Sequence, residues 1–299
     1  MPAMLRGVFA CPSCHHAPLS AAGGWRCSAC GAAHETLEGV PILVPGARAQ
    51  DVDLRTSGGA LPRYDCAGLG IPAIDEALER GDRILEVGAG LEATTAANVV
   101  RTDAFVYDLD ALDAVADVHR LPFPDGSFDL VFSIAVFEHL HSPWLAAREI
   151  ARVLRPGGRV FVLCAFFQQL HGYPDHYFNP TESGLRRLFS EEFEVVHCGP
   201  SRHCPDRESV VALWRMHHMA DAFLSAREGG PGNLRTRWRT LRLRRALAIA
   251  AHQFQQLADP MLEVPDAREH WRHIAPAVEL LGVRSGGDSS PQTVSVQGP

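Results

Sequence analysis

The sequence predicts an α/β fold, a parallel sheet with helices on both faces behind a small metal-stapled module, and three observations predict it. From residue 71 onward, strand-like apolar runs alternate with helical stretches, and such alternation builds a parallel sheet covered on both sides. The first of these strands runs straight into a glycine turn, Gly88-Ala89-Gly90. Ahead of the sheet, four of the eight cysteines fall within the first 30 residues, as Cys11-Pro-Ser-Cys14 and Cys27-Ser-Ala-Cys30.

Composition narrows the classes. At 299 residues, 46% hydrophobic and a mean hydropathy of -0.05, the chain has the make-up of a soluble globular protein with a buried core. No run approaches the ~18 apolar residues that span a bilayer, and the opening Met1-Pro-Ala-Met-Leu-Arg6 has no apolar signal segment, so a cytoplasmic location without membrane contact is expected. All 28 basic residues are arginine, which excludes Schiff-base lysine chemistry and a phosphate loop built on Gly-Lys-Ser/Thr. The net charge of -7 is uneven: 4 arginines against 4 acids in 1–60, 11 against 21 in 61–200, and 13 against 10 in 201–299. An acidic middle is a poor surface for nucleic acid, whose binding rests on clustered cations, although the basic last third keeps RNA open.

Taken in order, the two Cys-x-x-Cys pairs, 12 residues apart, can converge four thiolates on one ion in the closed tetrahedral shell of structural zinc. Two disulfides are disfavoured in a reducing cytoplasm, and a redox pair normally stands once beside a strand-helix unit. His15, His16 and His34 lie near enough to substitute as ligands, but with Cys11, Cys14, Cys27 and Cys30 complete they are read as solvated. Cys66, Cys164, Cys198 and Cys204 have no metal spacing. The segment Leu37-Glu-Gly-Val-Pro-Ile-Leu-Val-Pro45 reads as a short apolar strand. Together with the cysteine pairs it resembles the small zinc-ribbon family of tRNA-methyltransferase activator proteins, which join an opening Cys-Pro-x-Cys and a later Cys-x-x-Cys to a Gly-Ile-Pro-x-Leu strand. Residues 1–45 are thus expected to form a zinc ribbon that unfolds without its metal while leaving the sheet intact. Residues 46–63, rich in Gly and Ala, are expected to be a linker.

In the sheet region, helices are expected over 73–80, 93–101 and 144–154, the last opened by Pro143, and strands over 83–87, 104–107, 128–134 and 159–164. Residues 193–197 and 277–284 read as two further strands of the same sheet. The domain 64–204, with its closing strand in 271–284, is then interrupted by a helical insertion, 205–270, suited to a lid or a homodimer contact. Within it, six arginines in the eleven residues 235–245 read as a solvated helix face, or as a site for phosphate, RNA or a carboxylate. The tail, 285–299, is expected to be disordered.

A nucleoside-bearing cofactor follows from Gly88 and Gly90, which let a backbone turn approach a ligand closely. It follows also from Asp108, 18 residues beyond Gly90 at the end of the expected second strand, where a carboxylate can hold both ribose hydroxyls. Gly88-x-Gly90-x-x-Ala93 also satisfies the dinucleotide fingerprint. What separates the two readings is Asp117-Val-His-Arg-Leu-Pro-Phe-Pro-Asp-Gly-Ser-Phe-Asp-Leu-Val131, followed by Glu138-His-Leu140 and Leu154-Arg-Pro-Gly-Gly-Arg-Val160. With these, the span 81–164 resembles the class I S-adenosylmethionine-dependent methyltransferases, whose sheet is Rossmann-like. The resemblance implies that Glu86, Gly88 and Gly90 lie beside the methionine part of S-adenosylmethionine and that Asp108 holds the ribose. It further implies that Asp117 and the Val118 backbone receive the adenine amino group, and that Leu121 flanks the ring. Glu92 stands where the family often has a third glycine, Asp125-Gly126 reads as a turn, and Asp129 as structural.

Methyl transfer from a sulfonium is an in-line displacement, so an enzyme must align donor and nucleophile and, for a hydroxyl or protonated amine, remove a proton. Candidate groups follow the strands at 128–134 and 159–164: His139 in Glu138-His-Leu-His141, and His171 and His176 in His171-Gly-Tyr-Pro-Asp-His-Tyr-Phe-Asn-Pro180. A histidine satisfied by local hydrogen bonds is the plain alternative at each. The second segment, running on into 181–189, resembles a loop and helix in methyltransferases of bacterial secondary metabolism and glycan-modification clusters. Those carry Asp-Tyr-Phe-Arg-x-Thr where this chain has His176-Tyr-Phe-Asn-Pro-Thr181. The expected function is methyl transfer to a small-molecule acceptor, a metabolite or natural product, in biosynthesis. The alternative is an RNA methyltransferase or RNA-modification subunit that holds RNA through the ribbon and the arginine helix, since some rRNA guanine methyltransferases also open with a zinc knuckle.

Overall fold

The computed structural model describes residues 9–16, 18–19, 24–54, 65–90, 96–166, 175–201 and 277–286. The expectations for Glu92, His171, the insertion 205–270 with its arginine run, and the tail from 287 concern residues outside these. The N-terminal part holds two short antiparallel pairs, β1 (Trp25–Arg26) with β2 (Ala33–His34) and β3 (Thr36–Leu37) with β4 (Val40–Pro41). One larger sheet follows, made of β5 (Ile84–Val87), β6 (Val99–Asp103), β7 (Ala114–Val115), β8 (Phe128–Ile134), β9 (Leu154–Ala165), β10 (Phe193–Pro200) and β11 (Ala277–Arg284). Its order is β10-β11-β9-β8-β5-β6-β7. The pairs among β5 to β9 are parallel, while β11 is antiparallel to both β9 and β10. The chain leaves β5 toward β6 and β7 and returns to β8 on the other side. The winding therefore reverses between β5 and β8, and their carboxyl ends open the crevice in which such sheets bind ligands.

All four residues of β5 are buried, as a strand covered on both faces requires. Leu85 and Val87 pack with α2 (Pro143–Val153) and α3 (Glu182–Phe189), whereas Ile84 packs with α1 (Pro72–Arg80). Both α1 and α2 start on a proline in the first turn, where its missing N–H costs nothing. Helix α1 stops at Gly81, left-handed at φ 69°, and α3 starts where Thr181 Oγ1 accepts the Gly184 amide at 3.1 Å. The wholly buried Phe128 and Phe132 on β8 each stabilise the fold by about 1.5–3 kcal/mol.

Several expectations are corrected. The helix over 93–101 and the strand over 104–107 give way to β6 at Val99–Asp103. The alanines of 93–97 suggest helix, but the β-branched Val99, Val100 and Thr102 are buried in register with β5, and pairing overrides propensity. The strand over 37–45 is instead the β3-β4 hairpin, turning at Glu38 and Gly39 with φ of 47° and 92°, and Ile42 then bridges in parallel to Val115. Residues 46–54, the first half of the expected linker, are packed: Val44, Ala47, Ala49 and Val52 lie against Ile42, Val106 and Val115, and Leu54 bridges to Val106. Nor does the cysteine module stand apart, since Phe9, Cys11, Cys27 and Leu43 share one core with β5, β8, β9 and α2.

Candidate active site

The tip of β5 is built around backbone. Gly88 has φ 78°, and a β-carbon there would stand 2.2 Å from Val136 Cγ2 at the end of β8, so only glycine fits. Gly90, at φ 54°, is left-handed too. The amides of Gly88 and Ala89 donate to the Thr102 carbonyl at 2.8 and 3.0 Å, and the Gly90 amide donates to Asp103 Oδ2 at 3.0 Å. Asp103 Oδ1 accepts the Phe105 amide at 2.9 Å, which fixes the carboxylate at the carboxyl end of β6, facing the glycine turn. Asp108 does not end the second strand; its side chain accepts the Asp110 amide at 3.0 Å and caps the short turn Leu109–Ala111. Glu86 is wholly buried within β5. Ala135, directly after β8, has a left-handed φ of 55°, a conformation costly for any residue with a side chain and typical of sites.

The next acid, Asp117, caps the turn Val118–Arg120 beyond β7. The His119 amide and ring Nδ1–H both donate to its Oδ1, at 2.9 and 2.7 Å. Burial works to raise the Asp117 pKa, and the two His119 bonds outweigh it and hold the carboxyl below the usual range. The His119 ring stacks on His141, centroids 4.2 Å apart at 10°, which links this loop to the segment after β8. Val118 and Leu121 are buried in the main core. Two residues that the sequence did not single out clamp the loop from α2. Glu149 Oε2 accepts the Leu121 amide at 2.8 Å, and Arg152 donates to the carbonyls of Leu121 and Phe123 at 2.8 and 2.7 Å and to Glu149. Their spacing on one helical face is the only signal that could have found them.

On the other side of the crevice, Glu138 is wholly buried and accepts the Cys164 thiol and the Ala165 amide, each at 3.4 Å. Burial, with the Glu138 charge beside it, pushes the Cys164 pKa well up, so this thiol stays protonated and donates. The Glu138 carbonyl accepts the amides of Tyr177 and Phe178, at 2.8 and 3.2 Å, and so hangs the 175–180 segment beside His139. His139 Nδ1 is 2.8 Å from the Asp175 carbonyl. A carbonyl only accepts, so Nδ1 carries the proton and, in the neutral ring, Nε2 is the basic nitrogen. The His176 ring meets His139 edge-on at 5.3 Å and bonds to Asn179 Oδ1. The structure thus brings His139 and His176 together, with the adjoining Tyr177 and Phe178 exposed.

The four sulfurs of Cys11, Cys14, Cys27 and Cys30 lie within 4.8 Å of one another, with Cys11–Cys30 at 3.7 Å and Cys14–Cys27 at 3.6 Å. Four sulfurs set tetrahedrally about 2.3 Å from one ion stand roughly 3.8 Å apart, so the set fits zinc, and none approaches the ~2.05 Å of a disulfide. The amides of Cys30 and Ala29 bring the Cys27 pKa down to about 6. The His16 amide pulls Cys14 the same way, but desolvation and the neighbouring sulfurs push it up to about 12. His34 is not solvated: it is buried, its Nε2 is 3.7 Å from Cys11 Sγ, and burial holds its pKa down.

Residues 85–162 match the family described as "Methyltransferase domain". A 104-residue stretch is 36% identical to 27-O-demethylrifamycin SV methyltransferase of Amycolatopsis mediterranei, covering 28% of this chain and 38% of that protein. A 121-residue stretch is 32% identical to demethylmenaquinone methyltransferase of Tropheryma whipplei, covering 35% and 47%. The chain spans less than half the length of these curated relatives. Among solved structures, the Trm112 methyltransferase activator complex of Haloferax volcanii is similar at 18% identity and a TM-score of 0.41, over 73% of this chain and 90% of that one. By its family match and the relatives it resembles, the segment 85–162 is similar to methyltransferase domains.

Proposed function

We propose that the protein methylates a small-molecule acceptor with S-adenosylmethionine, and that Asp103 rather than Asp108 holds the ribose. The observation that carries this reading is the Gly90 amide bonded to Asp103 Oδ2 at 3.0 Å, which sets a carboxylate against the glycine turn at the point where the winding reverses. When bound, the cofactor supplies an electrophilic methyl group on its sulfonium. Gly88 and Gly90 keep the tip of β5 clear of side chains, Asp103 accepts from the ribose hydroxyls, and Asp117 with the Val118 amide meets the adenine edge. His139, with its proton held on Nδ1 by the Asp175 carbonyl, offers Nε2 to take a proton from the acceptor. The exposed rings of Tyr177 and Phe178 give an apolar acceptor something to lie on. Relatives named for rifamycin and menaquinone precursors support a small molecule over RNA. Zinc on the four cysteines completes the reading. The test is calorimetric titration with S-adenosylhomocysteine. Asp103→Ala is expected to weaken binding by about tenfold or more, the loss of one or two charge-assisted hydrogen bonds, and Asp108→Ala to leave it near wild type. The reverse order would return the ribose to Asp108.

A further inference from the structure

We propose that Arg120 ties the four-cysteine centre to the cofactor loop, so that metal binding by the cysteines and cofactor binding beside Asp117 reinforce one another. Arg120 closes the turn that Asp117 caps, its own amide donating to the Asp117 carbonyl at 3.0 Å. Its guanidinium reaches back across the chain to the first knuckle, where Nε donates to the Pro12 carbonyl and Nη2 to the Ser13 carbonyl, the latter at 2.5 Å. These two carbonyls belong to the two residues that lie between the proposed ligands Cys11 and Cys14. The fork therefore grips the backbone of the first knuckle between two of its four sulfurs. The planar guanidinium suits two neighbouring acceptors as a lysine would not.

The surrounding packing is continuous with this link. The Ala10 amide donates to the Pro122 carbonyl at 2.8 Å, and Phe9 stacks on Phe123 with centroids 5.4 Å apart. Cys11 and Cys27 share a core with Val118, Leu121 and Phe123. A knuckle of this size is ordered by its metal. Releasing the metal frees the Pro12 and Ser13 carbonyls from their fixed places, Arg120 loses its acceptors, and the Asp117 turn loses an anchor. Arg120 acts here as a positioning residue, touching neither metal nor cofactor.

This inference rests on the proposed cofactor and zinc sites, and the experiment separates its failure from theirs. Zinc affinity of the full chain is measured by competition with a chromophoric chelator, with and without saturating S-adenosylhomocysteine, and ligand affinity is measured by calorimetry on zinc-loaded and zinc-stripped protein. Because coupling is reciprocal, each ligand is expected to tighten the other by the same factor, about tenfold. In Arg120→Ala that factor is expected to fall toward one while the variant still takes up one zinc. Wild-type protein that binds both ligands with no mutual effect overturns the coupling alone, as does full coupling in Arg120→Ala. A chain that fails to bind zinc, or fails to bind S-adenosylhomocysteine, overturns the corresponding site and the coupling with it. The wild-type arm decides the matter even if the variant folds poorly.

Discussion

Gly88 is the position where a single methyl group does most damage, since its β-carbon would overlap Val136 and its φ is left-handed. Gly88→Ala is expected to cost about 2 kcal/mol or more in urea unfolding, and a Val136→Ala background should recover the steric part but not the backbone part. At His139, alanine should lower labelled methyl transfer into a metabolite extract by about a hundredfold or more while the S-adenosylhomocysteine affinity holds. A parallel loss of affinity would make His139 a cofactor residue instead. Asp129 illustrates an acid with a structural task. Burial would raise its pKa, but the Arg155 guanidinium and the Arg83 amide outweigh burial and hold it below the usual range. A depressed carboxylate contributes stability that is present above the ordinary aspartate value and lost as pH falls through the folded value. Asp129→Asn should therefore cost about 1 kcal/mol at neutral pH, and the gap to wild type should close on acidification below about pH 4. The sequence made the glycines, Asp117 and the four cysteines legible as candidates because each depends on local spacing. It pointed to Asp108 and passed over Asp103, because which aspartate ends the strand is settled by register against β5, and it read His34 as solvated, because burial beside Cys11 is a tertiary property.

Helix α2 works as a clamp as well as a cover. Glu149 and Arg152 together hold the amide of Leu121 and the carbonyls of Leu121 and Phe123, and the Arg152 guanidinium stays charged because Glu149 and Asp125 outweigh its burial. Arg152→Met should destabilise the fold by about 3 kcal/mol, since it strands a half-buried carboxylate and two carbonyls, and should weaken S-adenosylhomocysteine binding several-fold. Adding Glu149→Gln should cost less than the sum of the two single changes, because both belong to one network. Additive losses by chemical denaturation would show two independent contacts. Elements with strong punctuation were readable in advance: α1 between Pro72 and Gly81, α2 from Pro143, and the long β8. The ones that were not are either very short or beside a misleading neighbour. β6 has five residues beside an alanine-rich stretch, and β3 and β4 have two each, too few for any periodicity to register.

At the scale of the whole molecule, the described residues between 9 and 54 send apolar side chains into the sheet domain's own interior. Ile42, Leu43 and Phe9 are fully buried, and three such side chains contribute about 5–9 kcal/mol, comparable with the entire stability of a typical domain. A chain starting at residue 65 is therefore expected to be insoluble or unfolded by circular dichroism, and recovery of a cooperative transition near the wild-type midpoint would show the module to be dispensable. The sequence suggested a ribbon on a linker because glycine and alanine look like slack; the bridges to Val115 and Val106 are long-range pairings that composition does not encode. Those same bridges decide how the sheet ends. At β7 the place that a neighbouring strand would take is filled by Ile42 and Leu43, the Leu43 amide donating to the Val115 carbonyl at 2.8 Å, and at the opposite margin β10 is bent by a bulge between Val195 and His197. Fibre growth needs a straight, vacant margin to template the next copy. The upstream segment thus closes the β7 margin, and protein caught before that segment has docked is expected to be the form most prone to clump.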